Sequence, residues 1–177
     1  MSKTHIKNLV LSALFLALAY ALPFFTGNIP QIGSMLLPMH LPVILCGFLC
    51  GGPWGAAVGL IAPLMRSVLT GGFPPMFPTA VAMSAELAVY GLVCALLHSR
   101  PRRPMNIYFT LVIAMLSGRV VWGIVMALIT LNGGGFTMAA FVAGAFTNAL
   151  PGILLQLVII PPIVYGADRL EKHPSEV

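Results

Sequence analysis

The sequence predicts an all-α fold, an integral membrane bundle of six transmembrane helices with both termini on the cytosolic side (N-in/C-in). Three observations lead there. Of the 177 residues, 59% are hydrophobic and only 7% charged, with mean hydropathy +0.99, whereas a soluble domain carries about 25% charged residues. The apolar sequence is interrupted by Gly/Pro clusters at intervals that suit spans of about 20 residues. Threading six spans through it puts every extramembrane Lys and Arg on one face of the membrane.

The first span, about 7–25, follows Lys3, His5 and Lys7. A signal peptide begins in the same way, but this apolar run is long for one and its cleavage pattern is weak. The segment 26–34 (TGNIPQIGS) is a polar connection. The apolar stretch 35–69 is too long for one helix and breaks at Gly51-Gly52-Pro53. A proline suits the first turn of a helix, so the second and third spans fall at about 36–50 and 53–69. Both are short for about 30 Å of hydrocarbon, which calls for tilt or cover from neighbours. Pro38, Pro42 and Pro63 introduce kinks, and Thr70-Gly71-Gly72 closes the third span. The fourth span is about 77–98, followed by a basic loop at 98–104. The fifth is about 105–131, ending at Asn132-Gly133-Gly134-Gly135. The sixth, about 136–167, is kinked at Pro151 and ended or bent at Pro161-Pro162. No internal repeat and no large extramembrane segment is visible, so residues 1–177 read as one transmembrane domain.

Orientation follows from charge. Lys3, Lys7, Arg100, Arg102, Arg103, Arg169 and Lys172 all fall on the side of the termini, and the opposite loops hold no Lys or Arg. The positive-inside rule makes that side cytosolic. The net charge of +5 therefore reports topology rather than nucleic-acid binding. Cys46, Cys50 and Cys94 read as small packing residues, with no disulfide, redox or metal pattern.

Against this background the charges inside the spans stand out. Arg66, Arg119 and Glu86 are the only Lys, Arg, Asp or Glu residues there, and His40 and Asn148 are further polar groups. An Arg or Asp at a helix centre costs roughly 2.5–3.5 kcal/mol on insertion scales, so such residues face a protein interior or a wet cavity. At about 1.5 Å per residue, all five lie in the outer half of the bilayer, on different helices. They form a candidate pocket for a small polar ligand. The plainer alternatives stay open: Glu86 pairs with Arg66 or Arg119, Arg66 snorkels to the headgroups, His40 is a satisfied helix-end histidine, and Asn148 bonds between helices. Two arginines against one glutamate leave one positive charge, which favours an anionic group such as a carboxylate on the ligand. Phe24, Phe25, Met39, Phe73, Met76 and Phe77 crowd the same end, either as an interfacial belt or as a lid. On the first span Ala13, Ala17 and Ala21 recur every four residues. They make a flat face for another helix, in this chain or in a partner.

No HExxH, GxSxG, CxxC or paired-carboxylate motif is present, and Ser84, Ser117 and His40 do not single themselves out as a protease site. Neither an enzyme nor a cofactor is expected. With no phosphate loop, any dependence on ATP must come from a partner.

The stretch that begins PMHLP at Pro38 and runs to Gly91 resembles the substrate-binding (S) component of energy-coupling factor (ECF) transporters, the vitamin importers. Gly47, Phe48, Gly51, Gly55 and Gly59 are similar to that family's G-F-x-x-G-x-x-x-G-x-x-x-G pattern. The chain's length, six helices, basic N-terminus and alanine face match its layout. The resemblance implies a bacterial-type plasma membrane protein that binds a vitamin in an outward pocket. It then docks on a transmembrane coupling subunit driven by two cytosolic ATPase subunits, and topples to release the ligand inside. It implies that Ala13, Ala17 and Ala21 form the docking face, and that Glu86, Arg119 and Asn148 belong to the pocket. The MHLP and PPMFP segments most resemble the pantothenate branch, while pyridoxine and hydroxymethylpyrimidine remain open. The alternative from another class is a self-sufficient proton- or ion-coupled transporter that uses Glu86 to carry protons.

Overall fold

A backbone in hydrocarbon must satisfy its own N–H and C=O groups, and a helix does so within one segment. The computed structural model describes residues 3–26, 35–98, 104–131 and 136–172, and among these the only regular structure is helical. Helix α1 (Lys3–Ala21) tightens into a 3-10 turn (Leu22–Thr26). Then come α2 (His40–Cys50) and α3 (Gly52–Leu69). A π turn (Met76–Ala80) leads into α4 (Val81–Leu97), which is followed by α5 (Pro104–Thr130). The last run consists of α6 (Met138–Val142), a second π turn (Ala143–Thr147) and α7 (Leu150–Lys172). Residues 27–34 of the polar connection, the arginines of the basic loop 99–103, the glycine break 132–135 and the tail 173–177 lie outside the described residues.

Among the described residues, four helical runs are long and apolar enough to cross a membrane: Lys3–Phe25, Met76–Leu97, Met105–Thr130 and Met138–Arg169. Helix α2, with 11 residues, is a shorter apolar helix.

Where helix boundaries depart from the sequence expectation, proline accounts for it. The second helix starts at His40 rather than near residue 36, because Leu37, just before Pro38, has φ 50° and leaves the helical region. The fourth does not run straight from residue 77: Phe77, preceding Pro78, is extended at φ −126°, ψ 131°, the conformation a following proline favours. In the sixth span the break lies at residues 148–149, and Pro151 sits in the first turn of a restarted helix, where its missing N–H costs nothing. Pro161 and Pro162 do not end that helix, which continues to Lys172.

Helix α4 is central, packing against α2, α3 and α5. In lipid, apolar burial does not drive helices together, and close backbone approach through small residues does much of the work. The glycines of α2, α3 and α4 supply that approach. A methyl group on Gly47 would meet the Gly91 carbonyl oxygen at 2.5 Å, and one on Gly55 would meet the Gly47 Cα at 2.6 Å. Gly59 lies equally close to the backbone of Leu87, and Gly91 to that of Gly55. The turn between α2 and α3 is made by Gly51 at φ 98°, a conformation open to glycine and costly for other residues.

Two apolar clusters flank this seam. One joins Ile44, Phe48, Tyr90, Ile107, Leu111, Ile160 and Val164 across α2, α4, α5 and α7. The other joins Phe15, Ala19, Val43, Cys46, Val58, Ala62 and Leu87 across α1 to α4. On the outside, Val112, Leu116, Val120, Ile124 and Leu128 form an exposed apolar stripe along α5, the surface a lipid solvent requires.

Candidate ligand-binding site

The kinked entry to α4, the start of α2 and the restart before α7 leave room at one end of the bundle. A cavity of about 330 Å³ occupies it. His40, Arg66, Glu86, Arg119 and Asn148 all line this cavity. Five polar groups that are far apart in sequence are thus brought to one place.

Glu86 is the hub. It is 1% exposed, and its Oε1 accepts a hydrogen bond from the Tyr90 hydroxyl at 2.8 Å and an ion pair from Arg119 Nη1 at 2.9 Å. His40 Nε2 lies 3.7 Å from the same oxygen, and the His40 ring tilts against that of Tyr90. The carboxylate's partner is therefore Arg119, not Arg66. Arg119 is itself 5% exposed. Its Nε and Nη2 have no hydrogen-bond partner among the described residues, and neither ring nitrogen of His40 has one.

Arg66 does not snorkel. It is buried, its Nη1 donates to the Tyr20 carbonyl at 3.2 Å, and its guanidinium lies over the rings of Phe24 and Phe73. Cation–π contacts of this kind contribute more when desolvated. They tie the end of α3 to the turn after α1 and to the loop before α4. Asn148, in the break between the second π turn and α7, is exposed at the cavity rim. Of the aromatic and methionine residues at this end, Met39 and Phe73 line the cavity. Phe24, Phe25, Met76 and Phe77 are exposed.

Sequence reasoning missed Trp122, Thr79 and Met83 in the wall and Tyr90 behind it. Tyr90 follows Glu86 by four residues, Met83 precedes it by three, and Trp122 follows Arg119 by three. Helical neighbours at such spacing share a face, so the anchors carried that signal. Tyr90 also needs space: its ring fills the position a side chain at Gly118 would occupy.

On α1, Ser12, Phe15 and Ala19 face inward. Ala13 and Ala17 are exposed and Ala21 is half-buried, with Val10, Leu14 and Leu18 exposed around them. Of the stripe, Ala13 and Ala17 stay open among the described residues, while Ala21 is partly covered. Among the described residues no group of His, Cys, Asp and Glu could hold a metal ion.

An apolar helical bundle with a ligand-sized cavity walled by buried charges defines a membrane-embedded small-molecule-binding protein. The chain belongs to the ECF transporter, substrate-specific component family, whose model matches residues 7–164. No curated protein and no solved structure matches it. Members of the family are transport subunits rather than enzymes, and membership implies a small-molecule substrate and association with an ECF module in the membrane.

Proposed function

We propose that this protein is the ligand-capturing membrane subunit of an ECF-type vitamin importer. It crosses the plasma membrane six times as one domain, with both termini in the cytosol and the cavity facing outward. Ligand enters the cavity among His40, Arg66, Glu86, Arg119 and Asn148. The loaded subunit delivers it through a transmembrane coupling subunit and two cytosolic ATPase subunits, docking through Ala13, Ala17 and Ala21. The observation that carries this reading is the cavity itself: about 330 Å³, the lower end of the range for small-molecule sites, walled by two arginines and one glutamate. The surplus positive charge favours a carboxylate, and pantothenate fits that charge and the MHLP and PPMFP segments.

Mass spectrometry of small molecules co-purifying from rich medium tests the capture role. A vitamin panel in a thermal-shift assay checks the result, since a ligand of the native state raises apparent stability. A vitamin should be found, and reconstitution with the coupling module should make its uptake ATP-dependent. Uptake by this chain alone in liposomes under a proton gradient would instead favour the self-sufficient transporter.

A further inference from the structure

The guanidinium of Arg119 is only half used. Nη1 is committed to Glu86 at 2.9 Å. Nε and Nη2 are buried without a hydrogen-bond partner among the described residues, although Arg119 lines the cavity. Those two nitrogens carry the parallel N–H bonds along one edge of the planar group. This is the fork that a carboxylate accepts with both oxygens. Buried donors left unpaired are costly, so this edge suits a matched acceptor.

We infer that the ligand is anchored by a carboxylate lying side-on against the Nε–Nη2 edge of Arg119, and that Glu86 does not grip the ligand but positions Arg119. The inference rests on the reading that this cavity holds the transported molecule. Three observations single out this edge. Arg66, the other cation in the wall, already donates to Tyr20 and lies over two aromatic rings. Glu86 Oε1 is engaged by Tyr90 and Arg119 from two helices, which anchors Nη1 and commits that oxygen within the protein. Two arginines and one glutamate leave a single positive charge, which a monoanion balances and a phosphate ester, at about −1.5 to −2, would exceed. Trp122, Phe73, Met39 and Met83, also in the wall, would then cover the less polar remainder of the ligand.

The test measures binding of acid and neutral pairs to the purified full-length protein: pantothenate with panthenol, nicotinate with nicotinamide, biotin with biotinamide. The tightest binder should be an acid, favoured over its neutral partner by about tenfold or more. In Arg119→Lys, which keeps the charge and loses the fork, that ratio should fall toward one. Glu86→Gln retains an oxygen acceptor for Nη1 and should keep most of the preference, whereas Glu86→Ala should lose it. The wild-type protein alone can refute the inference, by binding a neutral partner within about threefold of its acid. So would an undiminished ratio in Arg119→Lys, or a Glu86→Gln variant that loses acid and neutral partner alike, which is the behaviour of a direct ligand contact. Silence across the whole panel would overturn the capture reading and this inference with it. Binding without acid preference would overturn the inference alone.

Discussion

At Tyr90 a single hydroxyl links the packing of the bundle to the chemistry of the cavity. It donates to Glu86 Oε1 at 2.8 Å, and the same oxygen holds Arg119. A hydrogen bond to a charged group contributes about 1.5–3 kcal/mol, and a buried acceptor that loses its donor is penalised further. Tyr90→Phe keeps the ring that fills the space beside Gly118 and removes only the donor. It should lower ligand affinity by about tenfold with little change in helix content, read by titration calorimetry beside circular dichroism. The individual residues of this site were largely legible in the sequence, because a charge in an apolar span is costly wherever it sits. Their pairing was not. Whether Glu86 meets Arg66 or Arg119 depends on which helix crosses α4 at that height, and no local pattern encodes a crossing. Thr79 stayed hidden for a related reason: it lies in the π turn set by Pro78, so helical spacing counted from Glu86 does not reach it.

Between helices, the determining feature is the absence of side chains. Gly47, Gly55, Gly59 and Gly91 let α2, α3 and α4 approach backbone to backbone, and this seam sets the position of α4, from which Glu86 meets Arg119 of α5. Gly91→Ala would drive a methyl group into the backbone of Gly55, and neither chain segment can yield as a flexible side chain could. Overpacking of this kind costs about 1–3 kcal/mol. The variant should unfold at lower temperature in detergent and bind ligand more weakly, with unfolding followed by intrinsic tryptophan fluorescence. The glycine periodicity was visible in the sequence as a pattern, and the structure supplies its physical use. Helix ends were less legible. Proline marked each region of change at Pro38, Pro78 and Pro151, but the same residue starts a helix, ends one or passes through its middle, as at Pro161 and Pro162. Which of these occurs depends on whether neighbouring segments satisfy the freed carbonyls, information that lies outside the local window.

Over the whole molecule, the two features proposed to serve capture and docking lie apart. The cavity sits among α2, α3, α4, α5 and the run leading into α7, with Pro23 of the turn after α1 also in its wall, while the exposed Ala13 and Ala17 lie on the outer face of α1, whose inner face carries Ser12, Phe15 and Ala19. Capture and docking can therefore be separated by mutation. On the proposed docking face, Ala13→Leu or Ala17→Leu adds bulk where a partner helix would need close approach, at a cost of about 1–3 kcal/mol to that crossing, or roughly tenfold to a hundredfold in association. Neither residue lines the cavity. ATP-dependent uptake in proteoliposomes containing the coupling module should fall by about that factor, while ligand affinity of the isolated subunit stays within about twofold of the parent. Ala127→Leu, at an exposed position of α5 beside the stripe, adds the same bulk toward lipid and should leave uptake intact. Equal losses from the α1 and α5 substitutions would mean that added bulk disturbs the protein in general, and the alanine face would lose its claim to a partner. Loss of ligand binding in Ala17→Leu would mean that α1 governs the cavity as well, through Phe15 and Ala19 in the cluster it shares with α2, α3 and α4.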